Sequence, residues 1–297
     1  MSNTDLILVS GATGNTGSGV ASSLLAQGWP VRALVRDEAK TAGLRAQGAQ
    51  VVVADLDRPE TLTGDLLDGV TGVYFVTWNG PTALQQSRNL LETIKRSGTA
   101  PHIVRLSGYA TLKCRIISEL ATCEDELKAS GLPWTILKPT FFMQNVMMAA
   151  PTVREQGHIY FDWGNGKAGM IDARDVVDSA VGALTGQAKA IAGQTFVLTG
   201  PAAIGFADVA AILSDVTGRT VQYIPVPHQA AIDSMIAMGV PQWIAEGYGE
   251  LDDGFEQGFA DLTTSNVHAL SGHQPRGFEQ FARDYAEVFA PVLAPTS

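Results

Sequence analysis

Along the first half of the chain, short and mostly apolar runs alternate with longer segments whose apolar positions recur every three or four residues. The runs cover 6–10, 31–35, 51–54, 73–76, 103–106 and 134–137, and helical periodicity covers 17–27, 38–47, 83–97 and 118–129. A strand with no alternation of apolar and polar positions is one buried on both faces. Strands of that kind separated by helices predict a parallel sheet with helices on either side. The crossovers should be right-handed, and ligands should bind at the C-terminal strand ends, where the strand order reverses.

Beyond about residue 166 the pattern changes. A turn and helix are expected over 171–184, a strand over 195–198, a helix over 206–217 and a short strand over 221–226. Residues 229–258 read as helical and rich in Met, Trp and Gly, and 277–289 as a closing helix. No linker, repeat or low-complexity tract interrupts the chain. The expected architecture is α/β: a doubly wound parallel sheet with its nucleotide-binding core in 1–150. Residues 151–297 would complete the sheet and add a small, mostly helical lobe for substrate.

Composition narrows the function. Hydrophobic residues make up 45% of the 297 positions and charged ones 17%, so the chain folds around a sizeable core. The net charge of −10 is dispersed and offers no basic face for nucleic acid. No apolar run approaches the roughly 20 residues of a membrane span. The polar start, residues 1–5, leads directly into the first strand with no room for a signal peptide. A cytoplasmic protein without nucleic-acid or membrane partners is expected. Cys114 and Cys123 form neither a disulfide framework nor a CxxC pair, and the five histidines lack ligand spacing, so no metal is expected. Asp172 and Asp175, three apart at a helix start, read as caps.

The chemistry begins where the first strand runs into Gly11, Gly14 and Gly17 and then into a helix. Gly11 permits the tight turn, Gly14 lets the backbone approach a pyrophosphate, and Gly17 lets the helix pack on the strand. The helix N-terminus then faces the phosphates. Thr13, Asn15 and Thr16 complete the loop. The second strand ends in Arg36, where a planar cation suits the 2′-phosphate of NADP(H); Asp37, one residue later, reads as a cap for the next helix. The third strand ends in Asp55 and Leu56, which are placed to meet the adenine amino group and cover the ring, or else Asp55 caps the next helix. Thr77 and Trp78 end the fourth strand in the middle of the cleft, and Ser107 ends the fifth.

Together with later segments, these residues resemble the NmrA-like branch of the short-chain dehydrogenase/reductase superfamily. The similar segments are Gly131-Leu132-Pro133-Trp134-Thr135-Ile136-Leu137-Lys138-Pro139, Phe142-Met143-Gln144-Asn145, Ile171-Asp172-Ala173-Arg174-Asp175-Val176, Val197-Leu198-Thr199-Gly200-Pro201 and Phe278-Glu279-Gln280-Phe281. The resemblance implies a Rossmann fold, NADP(H) along the glycine loop, and reduction of quinones, imines, azo compounds, activated alkenes or carbonyls. It also implies Pro139 and Phe141 beside the nicotinamide, with Gln144 and Asn145 candidates for the cleft. Conventional superfamily members place a Tyr-x-x-x-Lys pair on the helix after the fifth strand. Here the only such pair, Tyr109 and Lys113, begins two residues after Ser107, in the loop, and the helix carries Leu120 four residues before Glu124. Ser107, Tyr109 and Lys113 are therefore the catalytic candidates. His228 is a candidate for the substrate pocket, and Met235, Met238, Trp243, Tyr248 and Phe255 either wall an apolar pocket or form ordinary core. The expected function is an NADPH-dependent oxidoreductase acting on a small, largely apolar substrate, with a homodimer left open. A non-catalytic NADP(H) sensor and an isomerase or cyclase of secondary metabolism are the alternatives.

Overall fold

Seven strands form one parallel sheet in the computed structural model, which describes residues 4–77, 80–110, 114–186 and 190–290. In chain order, the elements of the first half are β1 (Leu6–Val9), α1 (Asn15–Ala26), β2 (Val31–Val35), α2 (Ala42–Ala46), β3 (Gln50–Val53), β4 (Val70–Phe75), α3 (Ala83–Ser97), β5 (His102–Leu106), α4 (Arg115–Ala129) and β6 (Trp134–Pro139). Then follow α5 (Ala150–Gln156), β7 (His158–Phe161), α6 (Ala173–Thr185), β8 (Gln194–Leu198), α7 (Phe206–Thr217) and β9 (Gln222–Pro225). The chain closes with α8 (His228–Ala237), α9 (Gln242–Glu256), α10 (Asn266–Ser271), α11 (Phe278–Asp284) and α12 (Ala286–Phe289).

The sheet order is β3-β2-β1-β4-β5-β6-β8, with β7 and β9 paired in a separate two-stranded sheet. The chain leaves β1 toward β2 and β3, then crosses back to β4 on the other side of β1. In the register, Ile7 lies between Val31 and Gly72. That reversal opens a crevice at the C-terminal ends of β1 and β4.

Both faces of the sheet's central strands are buried, which is why those strands read as mostly apolar runs. Ile7 and Val9 point into one core with Val20 and Leu24 of α1, Val176 and Ala180 of α6, and Leu270 of α10. Leu6 and Leu8 point into the other with Leu90 and Ile94 of α3 and Leu127 of α4. The lobe has an aromatic core of its own. Trp163 stacks on Phe255 at 4.0 Å and Phe161 on Phe206 at 4.1 Å, with Phe141 edge-on to all four rings.

The second half departs from expectation in three places. The helical stretch 229–258 is two helices, because Gly239 takes a φ of 88° and Pro241 restarts the chain at the N-cap of α9. The closing stretch is likewise split at Tyr285. The strand β7 escapes periodicity altogether: it is four residues long and exists through pairing with β9, His158 lying opposite Gln222. Earlier, 38–47 resolves into a 3₁₀ turn and the short α2. Cys114 and Cys123 are buried free thiols, and no helix among the described residues is long and apolar enough to cross a membrane.

Candidate functional site

The turn after β1 is held by its neighbours. Ser10 Oγ donates to the Val76 carbonyl at 3.1 Å and accepts from the Val76 amide at 2.9 Å, joining the ends of β1 and β4. Tyr74, buried beneath, donates to Thr16 Oγ1 at 2.9 Å, and burial pushes its phenol well above the usual range, so it stays neutral. Gly11 has a φ of 61°, and its carbonyl accepts from the Gly14 amide at 2.8 Å. A Cβ at Gly17 would sit 2.1 Å from that same carbonyl oxygen. Gly14 caps α1 with no side-chain hydrogen bond, so no side chain covers the helix N-terminus that faces the crevice.

This turn opens on a cleft of about 590 Å³ whose walls include Gly11, Thr13, Gly14, Asn15, Thr16 and Gly17. At one end stand Arg36 and Lys40. Both are exposed, and neither side chain has an ion-pair or hydrogen-bond partner among the described residues. Lys40 was not a sequence candidate. It reaches this end because Asp37 Oδ1 accepts from the Ala39 amide at 2.9 Å and winds the chain into a 3₁₀ turn. A basic residue in the first turn after the second strand was the available signal. Asp55 and Leu56 also line the cleft. The Asp55 carboxylate is engaged locally, Oδ1 accepting from the Asp57 amide at 3.1 Å in an Asx turn. Trp78 and Lys113 lie outside the described residues.

At the other end are Thr77, Ser107, Phe142, Gln144 and Asn145. Thr77 Oγ1 accepts from Arg105 Nη2 at 3.4 Å. Arg105 is fully buried with its guanidinium over the Phe75 ring at 4.7 Å, and burial draws its pKa down. Ser107 donates to Glu124 Oε1 at 2.6 Å, and Glu124 holds the Lys138 ammonium at 2.9 Å. Gln144 faces the cleft but is tied to the start of α6, accepting from the Ala173 amide at 3.0 Å and donating to Asp172 at 2.9 Å. Asp172 accepts from the Arg174 amide and caps α6.

Three sequence candidates stand elsewhere. Phe141 turns away into the lobe's aromatic core, and Phe142 takes the cleft position. The reason is parity: the backbone here is extended and bridges to Ile171, so successive side chains point to opposite sides. Pro139 is buried at the end of β6 and does not line the cleft; its carbonyl accepts from the Tyr109 amide at 2.9 Å. Tyr109 is in the loop after β5, off the cleft wall, with its ring stacked on Phe259 at 5.9 Å.

The lobe candidates lie off this cleft. His228 lies between Asp162 and Asp253, each at 2.9 Å, and Glu256 at 3.0 Å, clamping the first residue of α8 to β7 and α9. Phe255 is core, Trp243 and Tyr248 pack against α4, and Met238 is exposed. Asp175, Asp178 and His273 converge, but the Arg276 guanidinium pairs with both carboxylates and supplies the positive charge there.

Comparison with known proteins agrees with this geometry. The model of the NmrA-like family matches residues 3–282. An NAD(P)H azoreductase of Xenophilus azovorans is 36% identical over 287 residues, covering 96% of this chain and 99% of the relative. A (4-alkanoyl-5-oxo-2,5-dihydrofuran-3-yl)methyl phosphate reductase of Streptomyces griseus is 32% identical over 296 residues, covering 96% and 100%. The structure of the NADPH-dependent quinone oxidoreductase QOR2 of Escherichia coli, complexed with NADPH, is similar with a TM-score of 0.85. It is 25% identical over 94% of this chain and 99% of that one.

Proposed function

The chain belongs to the NmrA-like family, and we propose that it is an NADPH-dependent reductase acting on a small, largely apolar acceptor such as a quinone, an azo compound or an imine. The observation that carries this reading is a single cleft with two unpartnered cations at one end and Ser107 at the other, joined by the glycine turn. The residues fit the cofactor. The space a Cβ would fill at Gly17 is already taken by backbone, so the turn stays bare and its amides stay open to a pyrophosphate. Arg36 and Lys40 would hold the 2′-phosphate, and Leu56 would cover the adenine. When bound, NADPH supplies hydride to the acceptor.

The protein's own part is orientation, exclusion of water and the proton. Thr77 and Asn145 border the Ser107 end of the cleft, and Phe142 gives that end an apolar face on which a flat acceptor can lie. Ser107, fixed at the end of β5, presents a hydroxyl oxygen to whatever is reduced there. Tyr109 has no place on that wall.

NADPH oxidation followed by absorbance with a naphthoquinone, an azo dye and a cyclic imine tests the reading. Turnover of at least one acceptor is expected, with NADPH preferred to NADH. Tight NADPH binding with no oxidation across the panel would overturn it in favour of a dinucleotide sensor.

A further inference from the structure

Behind Ser107 the hydrogen bonding continues to the surface. Glu124, on α4, has a side chain only 4% exposed, and it accepts from Ser107 Oγ at 2.6 Å. Lys138, next to last in β6, reaches the same carboxylate, at 2.9 Å from Oε1 and 3.1 Å from Oε2. Its own side chain is 18% exposed and so touches solvent. Lys128 Nζ lies 3.6 Å from Oε2 on the outer side, and buried Arg105 adds positive charge from β5. Folding alone does not call for this arrangement. Taking a carboxylate out of water is costly, and an apolar group of similar volume often serves the fold as well. The chain of groups runs in one direction, from the cleft through a buried acid to a partly exposed lysine.

We infer that Ser107, Glu124 and Lys138 form a proton relay that delivers to the reduced acceptor the proton it needs. The inference rests on the reading of the cleft as a reductase site. In the ion-paired state the Ser107 hydrogen lies toward Glu124, and only its lone pairs face the cleft. Delivery reverses that bond. Lys138 passes a proton to Glu124, the resulting acid donates to Ser107 Oγ, and the Ser107 proton moves to the oxyanion or nitrogen anion of the acceptor. The acceptor is reduced by two electrons as NADPH is oxidised to NADP⁺, the proton comes from Lys138, and the neutral amine is recharged from water. Glu124 and Lys138 act through Ser107 and are positioning residues.

Two substitutions separate relay from packing. In E124Q the amide oxygen can still accept from Ser107, but an amide does not take up and pass on a proton. K138R keeps the positive charge beside Glu124, yet arginine does not release its proton in proteins. With a quinone acceptor, each should lower kcat roughly 100-fold, the scale of general acid catalysis. The isotope effect from NADPH deuterated at the transferred position should fall toward one while the solvent isotope effect grows. Wild-type rates in either variant, or a loss with both isotope effects unchanged, would overturn the relay. A readout without cofactor or turnover accompanies them: in glutamate-labelled chain, the Glu124 carboxyl ¹³C resonance should move in S107A, and an unmoved resonance would also overturn it. A wild-type chain that binds NADPH but oxidises it with no acceptor is instead the failure of the reductase reading.

Discussion

Gly17→Ala places one methyl group where three backbone atoms already stand. The added Cβ would lie 2.1 Å from the Gly11 carbonyl oxygen, 2.6 Å from the Gly11 carbonyl carbon and 3.0 Å from the Ser10 carbonyl oxygen. No side chain is available to swing aside, and a carbon–oxygen contact wants about 3.3 Å, so the turn and α1 must separate by roughly 1 Å. Overpacking of this kind costs about 1–3 kcal/mol, and alanine's better helix propensity returns up to about 1 kcal/mol near the start of α1. The unfolding midpoint should therefore drop only modestly. Ligand binding should suffer more, because the displaced segment is the one carrying the Gly11 and Gly14 backbone. If the strain must be taken up again to seat the pyrophosphate, 1–3 kcal/mol corresponds to about 5- to 150-fold in Kd. Calorimetric titration with NADPH measures this, with chemical unfolding run alongside. Gly19→Ala is the control: its Cβ meets only the Val177 side chain on α6, at 2.7 Å, so it should cost stability and leave NADPH affinity near wild type. An unchanged Kd in Gly17→Ala would mean that the turn does not cradle the cofactor, and the argument from the glycines would fail.

Replacing Arg36 and Lys40 together with alanine should weaken NADPH binding by roughly 10- to 100-fold through lost charge-assisted hydrogen bonds, while NADH affinity stays within about twofold. A constant ratio of the two affinities would refute their role. Phe206→Ala should destabilise the chain by about 3–5 kcal/mol, read from urea unfolding, because the ring is fully buried among Phe161, Trp163 and Tyr223. Burial, and then the Asp162 charge, push the Asp252 carboxyl up to about 8 from an ordinary 3.8. The folded lobe thus keeps a proton that the unfolded chain releases, and this stability is full below pH 3.8 and is lost as pH rises toward 8. His228 acts in the same sense: partial burial opposes its charge, but the Asp162 and Glu256 hydrogen bonds outweigh that and raise its pKa. Its contribution is full below pH 6.5 and falls as pH climbs through the raised value. Asp252→Asn, whose amide oxygen can still accept from Trp163, should therefore flatten the fall in melting temperature between about pH 5 and 8; an unaltered slope would contradict the assignment.

Much of the cofactor end was legible in the chain because its signals are local. Leu6 to Val9 announce a strand buried on both faces whatever lies beside it, and Gly11, Gly14 and Gly17 state a backbone requirement that few other contexts impose. Arg36 follows from its place at the end of the second strand. Lys40 was missed because its position depends on a 3₁₀ turn that Asp37 closes. The strands β7 and β9 are each four residues long, and β7 left no periodicity from which a strand could be read.

The Ser107 end of the cleft was different in kind. Phe141 and Phe142 are equally apolar and adjacent, and only the bridge to Ile171 decides which faces the cleft and which the lobe core. The sequence showed Ser107 at a strand end, Glu124 seventeen residues on and Lys138 in the sixth strand, with nothing to connect them. The packing of α4 against the sheet brought the three within hydrogen-bond reach. By itself, the sequence determined what short-range chemistry encodes: the doubly wound sheet, the glycine turn after the first strand and the cation at the end of the second. The tertiary structure alone decided which side chain of an apolar pair lines the cleft and which buried acid stands behind the serine, because both depend on long-range pairing and packing.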